Sequence, residues 1–219
     1  SERARERESE RARERESERA SDTRHCFVGG VPVILNRISF SGELGFEIYC
    51  RPHYLLRLAQ AIEEAGADLG YQWYGARALM SLRLEKGWGA WGLDYRPDFN
   101  VVESGLDGFV NWTKEFVGKP TAAAQKAAGA RRKLVSLVVD VDGIDVCNDE
   151  AILKNGRAIG YVSSGGYAHH AQKSMAMGYV EIAHSAPGSQ LDIEILGKIY
   201  QAEVLGAPIY DPNGSKMRG

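Results

Sequence analysis

Two glutamates four residues apart, Glu43 and Glu47, lie in the stretch R-I-S-F-S-G-E-L-G-F-E-I-Y at residues 37–49. Ionised carboxylates only accept hydrogen bonds, and their two coplanar oxygens match a pair of parallel N–H donors. Ile38, Phe40, Leu44, Phe46 and Ile48 mark apolar positions at a spacing of two, broken at Ser41-Gly42. Such runs predict two strands with a tight turn or bulge between them. Four apart on a strand is the same face, so both acids would project together. From spacing alone the plainer account is a hairpin whose acids point to water, because edge strands often carry charge.

The other chemically suggestive clusters are weaker. Asp140, Asp142, Asp145, Asp149 and Glu150 invite comparison with a calcium loop. With Asp140 in first place, Gly143 falls fourth instead of sixth and Glu150 arrives one place early, so a solvated loop is expected. His169 and His170 are adjacent and would face opposite ways on a strand, and no H-E-x-x-H spacing occurs. No metal site is expected. Ser163-Ser164-Gly165-Gly166 lacks the strand–glycine–helix setting of a phosphate cradle and reads as a flexible turn. Cys26, Cys50 and Cys147 are scattered and odd in number, which argues for reduced thiols over a disulfide framework or a zinc site.

Composition is that of an ordinary soluble globular protein: 44% hydrophobic and 26% charged. The net charge of −2 offers no electrostatic reason to bind nucleic acid or an anionic membrane. No apolar run reaches the ~18 residues of a membrane span, and no secretory signal is visible. The expected location is cytoplasmic, or the mitochondrial matrix in a eukaryote. Residues 1–20 repeat S-E-R-A-R-E-R-E with no apolar side chain larger than Ala, so residues 1–22 read as a low-complexity tail and an artefact.

The elements that must position Glu43 and Glu47 follow in order. Phe27-Val28 and 31–35 predict strands around a Gly-Gly turn, with Pro32 favouring an edge position. A helix is expected at 53–66, with Leu55, Leu58, Ala59, Ile62 and Ala65 inward and Gly66 as its cap. A second helix at 74–86 would bury Ala78, Leu79, Leu82 and Met80. Residues 88–106 read as loop, whose Trp88, Trp91, Tyr95 and Phe99 suit either a pocket wall or a plug at the base of the core. A short surface helix is expected at 118–129, opening at Pro120 and closing at Gly129. From Arg132 onward short strands succeed one another with no helix between, including an Asn155-Gly156 hairpin turn. The fold class is therefore α+β, half of a sandwich followed by a small antiparallel barrel or sandwich.

Five motifs in fixed order carry a resemblance. R-I-S-F-S-G-E-L-G-F-E at 37–47, S-L-R-L-E-K-G at 81–87, A-W-G-L-D at 90–94, E-S-G-L at 103–106 and A-M-G-Y-V at 176–180 resemble the folate-binding aminomethyltransferase family. That family comprises the T-protein of the glycine cleavage system and the C-terminal halves of dimethylglycine and sarcosine dehydrogenases. The resemblance covers residues 27–216 and only the later half of the family's usual domain. It implies the C-terminal part of a folate-binding domain at 23–130 and the family's C-terminal β-barrel at 131–219.

It further implies tetrahydrofolate as cofactor, with FAD possible in an upstream domain. Folate and an amine-derived one-carbon donor would be partners, together with the N-terminal half of the same protein. By the family pattern Glu47 accepts the fork of pterin N–H donors, and Glu43, Phe40 and Trp91 line the same site. The family's acid near the folate nitrogens belongs to the other half, so no catalytic residue is assigned and the chain alone is expected to be inactive. Phe40 stands where the family usually has Tyr, Leu79 where T-proteins have Arg, and Val101-Val102-Glu103 where Pro-Leu-Glu is usual. L-R-L-E-K-G-W-G-A-W-G and Y-D-P-N-G-S-K are more similar to the dehydrogenase branch. A T-protein-type aminomethyltransferase and a non-catalytic module that has lost the ligand are the alternatives.

Overall fold

The computed structural model describes residues 23–218, and the tail at 1–22 lies outside the described residues. Two compact units pack separately: the residues up to Leu79 with those from Asn213 onward, and Met80–Pro212.

In the first unit β1 (Thr23–Val28), β2 (Val31–Asn36) and β3 (Glu47–Tyr49) form an antiparallel sheet in that order. Alternation sends Val28, Val31, Val33 and Ile48 to one face, against Leu58 and Ile62 of α1 (Leu55–Gly66). Only one of the two strands expected at 37–49 forms. Ser39 Oγ accepts the Gly42 N–H at 3.1 Å and Ser41 Oγ accepts the Glu43 N–H at 3.4 Å. These local side-chain acceptors hold residues 40–44 in bends in place of ladder pairing.

Pro32 is not on an edge strand, for β2 is central. The short β3 reaches only as far as the Ile34–Tyr49 pair, so Pro32 has no neighbour on that side to deprive of a donor. Gly66 is not the left-handed cap either. A 3₁₀ turn, Ala67–Leu69, follows it, and Gly70 takes the left-handed position. Gly66 is small for another reason: a Cβ there would stand 2.6 Å from Tyr71 Cβ. Leu55 and Ala65 face solvent, leaving α1 a narrower buried stripe than expected.

In the second unit six strands close a barrel: β4 (Arg132–Val139), β5 (Ala151–Lys154), β6 (Arg157–Ala168), β7 (Lys173–Glu181), β8 (Gln190–Ile195) and β9 (Lys198–Val204). The order is β4-β7-β6-β5-β8-β9, and β9 returns to β4 through Leu137–Val204 and Val139–Ala202. Alternate residues fill the interior, among them Leu137, Ile152, Val162, Val180, Ile193 and Val204. Asn155 and Gly156, at φ 52° and 73°, make the predicted two-residue turn between β5 and β6. α3 (Lys119–Ala128) is the expected surface helix, with no buried side chain.

Two further expectations are overturned. α2 (Ala76–Glu85) does not bury Ala78; it buries Ser81, Arg83, Leu84 and Glu85. Ser163 and Ser164 are not in a flexible turn but in β6, both buried. Arg83, Ser163 and Ser164 belong to a polar network around Asp94, while Ser81 donates to the Tyr167 carbonyl and Glu85 accepts from the His170 N–H.

Candidate functional site

Glu47 opens β3 on the sheet face away from α1, and its side chain is exposed. Tyr49, two residues on and on the same face, donates its hydroxyl to Glu47 Oε2, and this contact raises the pKa of the phenol. Directly across the ladder from Glu47 is Asn36, and across from Tyr49 is Ile34. Opposed residues share a face. The outer face thus carries Phe27, Pro32, His25, Ile34 and Tyr49, with Thr23, Asn36 and Glu47 in a row at one end. Asn36 Oδ1 is shut from solvent and finds no hydrogen-bond donor among the described residues.

Glu43 does not share the strand with Glu47. It lies in the bend, half-buried, so the same-face expectation fails for the pair. Phe40 is half-buried in the same bend. Arg37, first residue of the motif, is used structurally: its guanidinium donates to the Arg218 carbonyl at 2.9 Å and holds α4 (Ser215–Arg218).

Trp91 belongs to the second unit and is 88% exposed. Its loop is built around Asp94, which is wholly buried. Asp94 Oδ2 accepts from Arg83 at 2.8 Å and from the Ala90 N–H at 2.7 Å, while the Asp94 N–H returns to the Ala90 carbonyl at 2.9 Å. Asp94 Oδ1 accepts from the Ser163 and Ser164 hydroxyls. A bulge in β6 between Val162 and Ser164 lets two consecutive serines reach one oxygen. The Tyr179 hydroxyl donates to the Asp94 carbonyl at 2.8 Å and meets Ser104 Oγ at 2.8 Å. Burial pushes Tyr179 up to about 12, and burial lowers the pKa of Arg83 against the opposing pull of Asp94.

The network fixes residues 89–95 as a rigid loop and leaves Trp91 at its exposed tip. The four aromatics of this segment therefore divide: Phe99 stacks on Tyr179, ring centroids 3.4 Å apart, while Trp91 faces outward. Sequence reasoning missed Arg83, Asp94, Ser163, Ser164 and Tyr179. The available signal was an arginine set between leucines in S-L-R-L-E, a charge on what looked like an apolar helix face. A second buried pair, Lys86 with Asp211 at 2.9 Å, pins residues 208–211 to the end of α2.

A cleft of about 360 Å³ on the barrel, lined by Asp140, Asp142, Tyr167 and Lys173 among others, contains none of the expected site residues. Among the described residues no group of three His, Cys, Asp or Glu side chains could hold a metal ion. Nor is any described helix long and apolar enough to cross a membrane.

Comparison with known proteins adds independent information. A model of the GCVT N-terminal domain matches residues 10–114, and one of the glycine cleavage T-protein C-terminal barrel domain matches 132–211. Human mitochondrial dimethylglycine dehydrogenase is 40% identical over 189 residues, 85% of this chain and 22% of that protein. An aminomethyltransferase of Desulfitobacterium hafniense is 34% identical over 192 residues, 87% of this chain and 52% of that protein. The crystal structure of glycine cleavage system aminomethyltransferase T from Bartonella henselae superposes with a TM-score of 0.76 at 28% identity, covering 82% of this chain and 50% of that one. The chain spans about half the length of these aminomethyltransferases and about a fifth of the dehydrogenase.

Proposed function

Because the chain belongs to the glycine cleavage T-protein family, we propose that it forms part of a tetrahydrofolate-dependent one-carbon transfer protein. Within the family we assign it to the folate domain of a dimethylglycine or sarcosine dehydrogenase-like enzyme. The observation that carries the reading is Glu47, an exposed carboxylate at the start of β3 on the open face of the sheet. Its two oxygens offer about four acceptor sites, of which the Tyr49 hydroxyl occupies one. A planar fork of two N–H donors, such as a pterin ring presents, fits what remains.

Tetrahydrofolate, when bound, supplies the nitrogens that take up the one-carbon unit. The chain's own contribution is orientation: Glu47 fixes the ring's direction, and Glu43 and Phe40 act as lining groups. Pre-paid orientation of this kind is worth several kcal/mol of barrier. The FAD domain of the dehydrogenase branch, the N-terminal half and a mitochondrial matrix location are further parts of the same proposal. A T-protein-type aminomethyltransferase lacks the flavin domain, which separates the two readings at the level of the gene.

The test is a calorimetric titration of tetrahydrofolate into the full-length polypeptide that carries this chain. Glu47→Gln replaces a charged acceptor by an amide, and hydrogen bonds to charged groups contribute about 1.5–3 kcal/mol. A rise in Kd of roughly 10- to 100-fold is expected. An unchanged Kd would leave the family assignment standing and remove the ligand from this face. Folate-dependent turnover by the 219-residue chain alone would refute the expectation that it is inactive without its other half.

A further inference from the structure

We propose that the cleft at one end of the barrel binds a small ligand with two cationic groups and one carboxylate, the charge set of a free basic amino acid. The site lies wholly within the unit Met80–Pro212 and contains none of the residues assigned to folate, so it does not depend on the functional reading above.

At this end of the barrel β4 stops at Val139, β6 stops at Ala168 and β7 begins at Lys173. Val139, Ser174 and Tyr167 stand abreast there, because Ser174 pairs with Val139 on one side and with Tyr167 on the other. Opposed residues share a face, and Val139 assigns this row to the barrel interior. All three line the cleft, whose volume of about 360 Å³ is that of a small-molecule site, and barrel mouths commonly hold such sites. Further along β7 the same inward row continues with Ala176 and Val180, both apolar. Ser174 breaks the pattern. It is 4% exposed, and its Oγ finds no hydrogen-bond partner among the described residues. A buried hydroxyl without a partner is costly and rare in native proteins. A polar ligand in the cleft would give it one.

The charges around the cleft select the ligand class. Asp140, Asp142 and Lys173 all line it. Among the described residues none of the three forms an ion pair, with one another or with a neighbour. A simple cation would meet Lys173 as a like charge, and a simple anion would meet two carboxylates. A metal ion is the wrong occupant too, because no group of three His, Cys, Asp or Glu among the described residues could hold one. A ligand of both signs can bridge charges that the protein leaves apart. Two carboxylates against one ammonium leave one negative charge in surplus, so the complementary zwitterion carries one extra positive charge. Its carboxylate pairs with Lys173 and its cations with Asp140 and Asp142. The Ser174 hydroxyl, able to donate and accept, meets the polar head, and an aliphatic stem lies against Val139 and Tyr167. The Tyr167 ring also offers a face to a guanidinium.

The experiment is a calorimetric titration of L-arginine, as the probe, into the full 219-residue chain at low ionic strength. Saturable 1:1 binding is expected, with a Kd at or below about 1 mM. Lys173→Gln should raise the Kd roughly tenfold, and agmatine, which is arginine without its carboxylate, should bind the parent chain roughly tenfold more weakly. Agmatine should bind the Lys173→Gln chain no more weakly than it binds the parent, because both changes remove the same ion pair. Asp140→Asn combined with Asp142→Asn should abolish binding, and Ser174→Ala should weaken it about threefold or more. Lys133→Gln, an exposed lysine near the other end of β4, should change nothing. Urea midpoints at or above that of the parent chain show that each variant folds. No saturable heat, or an affinity indifferent to Lys173→Gln, to the aspartate pair or to Ser174→Ala, overturns the proposal. So does L-alanine binding as tightly as L-arginine, since the surplus positive charge would then not be read.

Discussion

The barrel and the three-stranded sheet solve the same problem with unequal success. In the barrel, β9 pairs back to β4, so each strand has two neighbours and no edge is left open. Its interior holds a cluster of 14 buried apolar side chains, against three in the cluster between the sheet and α1. Closure gives the barrel one inside and one outside, and alternation along each strand fills the inside. Among the described residues the sheet has two faces, one helix to cover them, and edges at β1 and β3. Residues suited to an interior, Phe27, Ile34 and Tyr49, are left on its surface. The lesson is that the deeper core and the acid proposed to meet a ligand reside in different parts of this chain. The barrel is closed by its own strands, whereas among the described residues the outer face of the sheet that carries Glu47 is uncovered.

The largest blow to the barrel unit is expected at Asp94. Asp94→Ala leaves Arg83 as an unpaired buried cation and deprives two serine hydroxyls and the Ala90 N–H of their acceptor. Breaking one side of a buried pair costs about 3–5 kcal/mol. Urea denaturation followed by tryptophan fluorescence should show that loss in the barrel unit. A cost below about 1 kcal/mol, the value of a surface pair, would mean that the network is solvated and the comparison overdrawn.

Next come paired core truncations. Leu137→Ala, at the centre of the barrel, should cost about 3–5 kcal/mol, and Leu58→Ala under the sheet about 2 kcal/mol, because a shallow core collapses more easily around a lost side chain. Equal costs by the same denaturation measurement would break the comparison.

Alkaline titration sharpens it further. Tyr179 has its phenol pKa raised to about 12 from an ordinary 10.0, chiefly by burial. A raised pKa favours the neutral form in the folded state, so this contribution is complete below pH 10 and is lost as pH climbs from 10 towards 12. The barrel should therefore lose stability across that window, and Tyr179→Phe should flatten the slope. Unfolding midpoints measured at half-unit intervals of pH give the answer. The smallest effect is expected at Ile34→Asp in the isolated chain, within about 0.5 kcal/mol, as for an ordinary surface substitution.

The same contrast explains what could be read from residues alone. The barrel was legible because its signals are local: two-residue alternation in 134–139 and 190–195, and Asn155-Gly156 as a turn that admits few alternatives. The surface helix at Lys119–Ala128 was equally plain, between Gly118 and Gly129. Residues 37–44 were misread because period-two spacing says nothing about Ser39 and Ser41 turning their hydroxyls onto the backbone. The buried face of α2 was misread because Arg83 and Glu85 look solvent-seeking. Their partners, Asp94 and the His170 N–H, lie 11 and 85 residues away and cannot be paired by inspection. Glu47 was singled out by its motif, whereas its exposed setting came only from the fold.

Native-state hydrogen exchange on the full chain tests the contrast between barrel and sheet most directly. The account predicts that amides of β4 to β9 exchange slowly, while those of β1 to β3 exchange at least tenfold faster. Sheet amides as protected as barrel amides would contradict it.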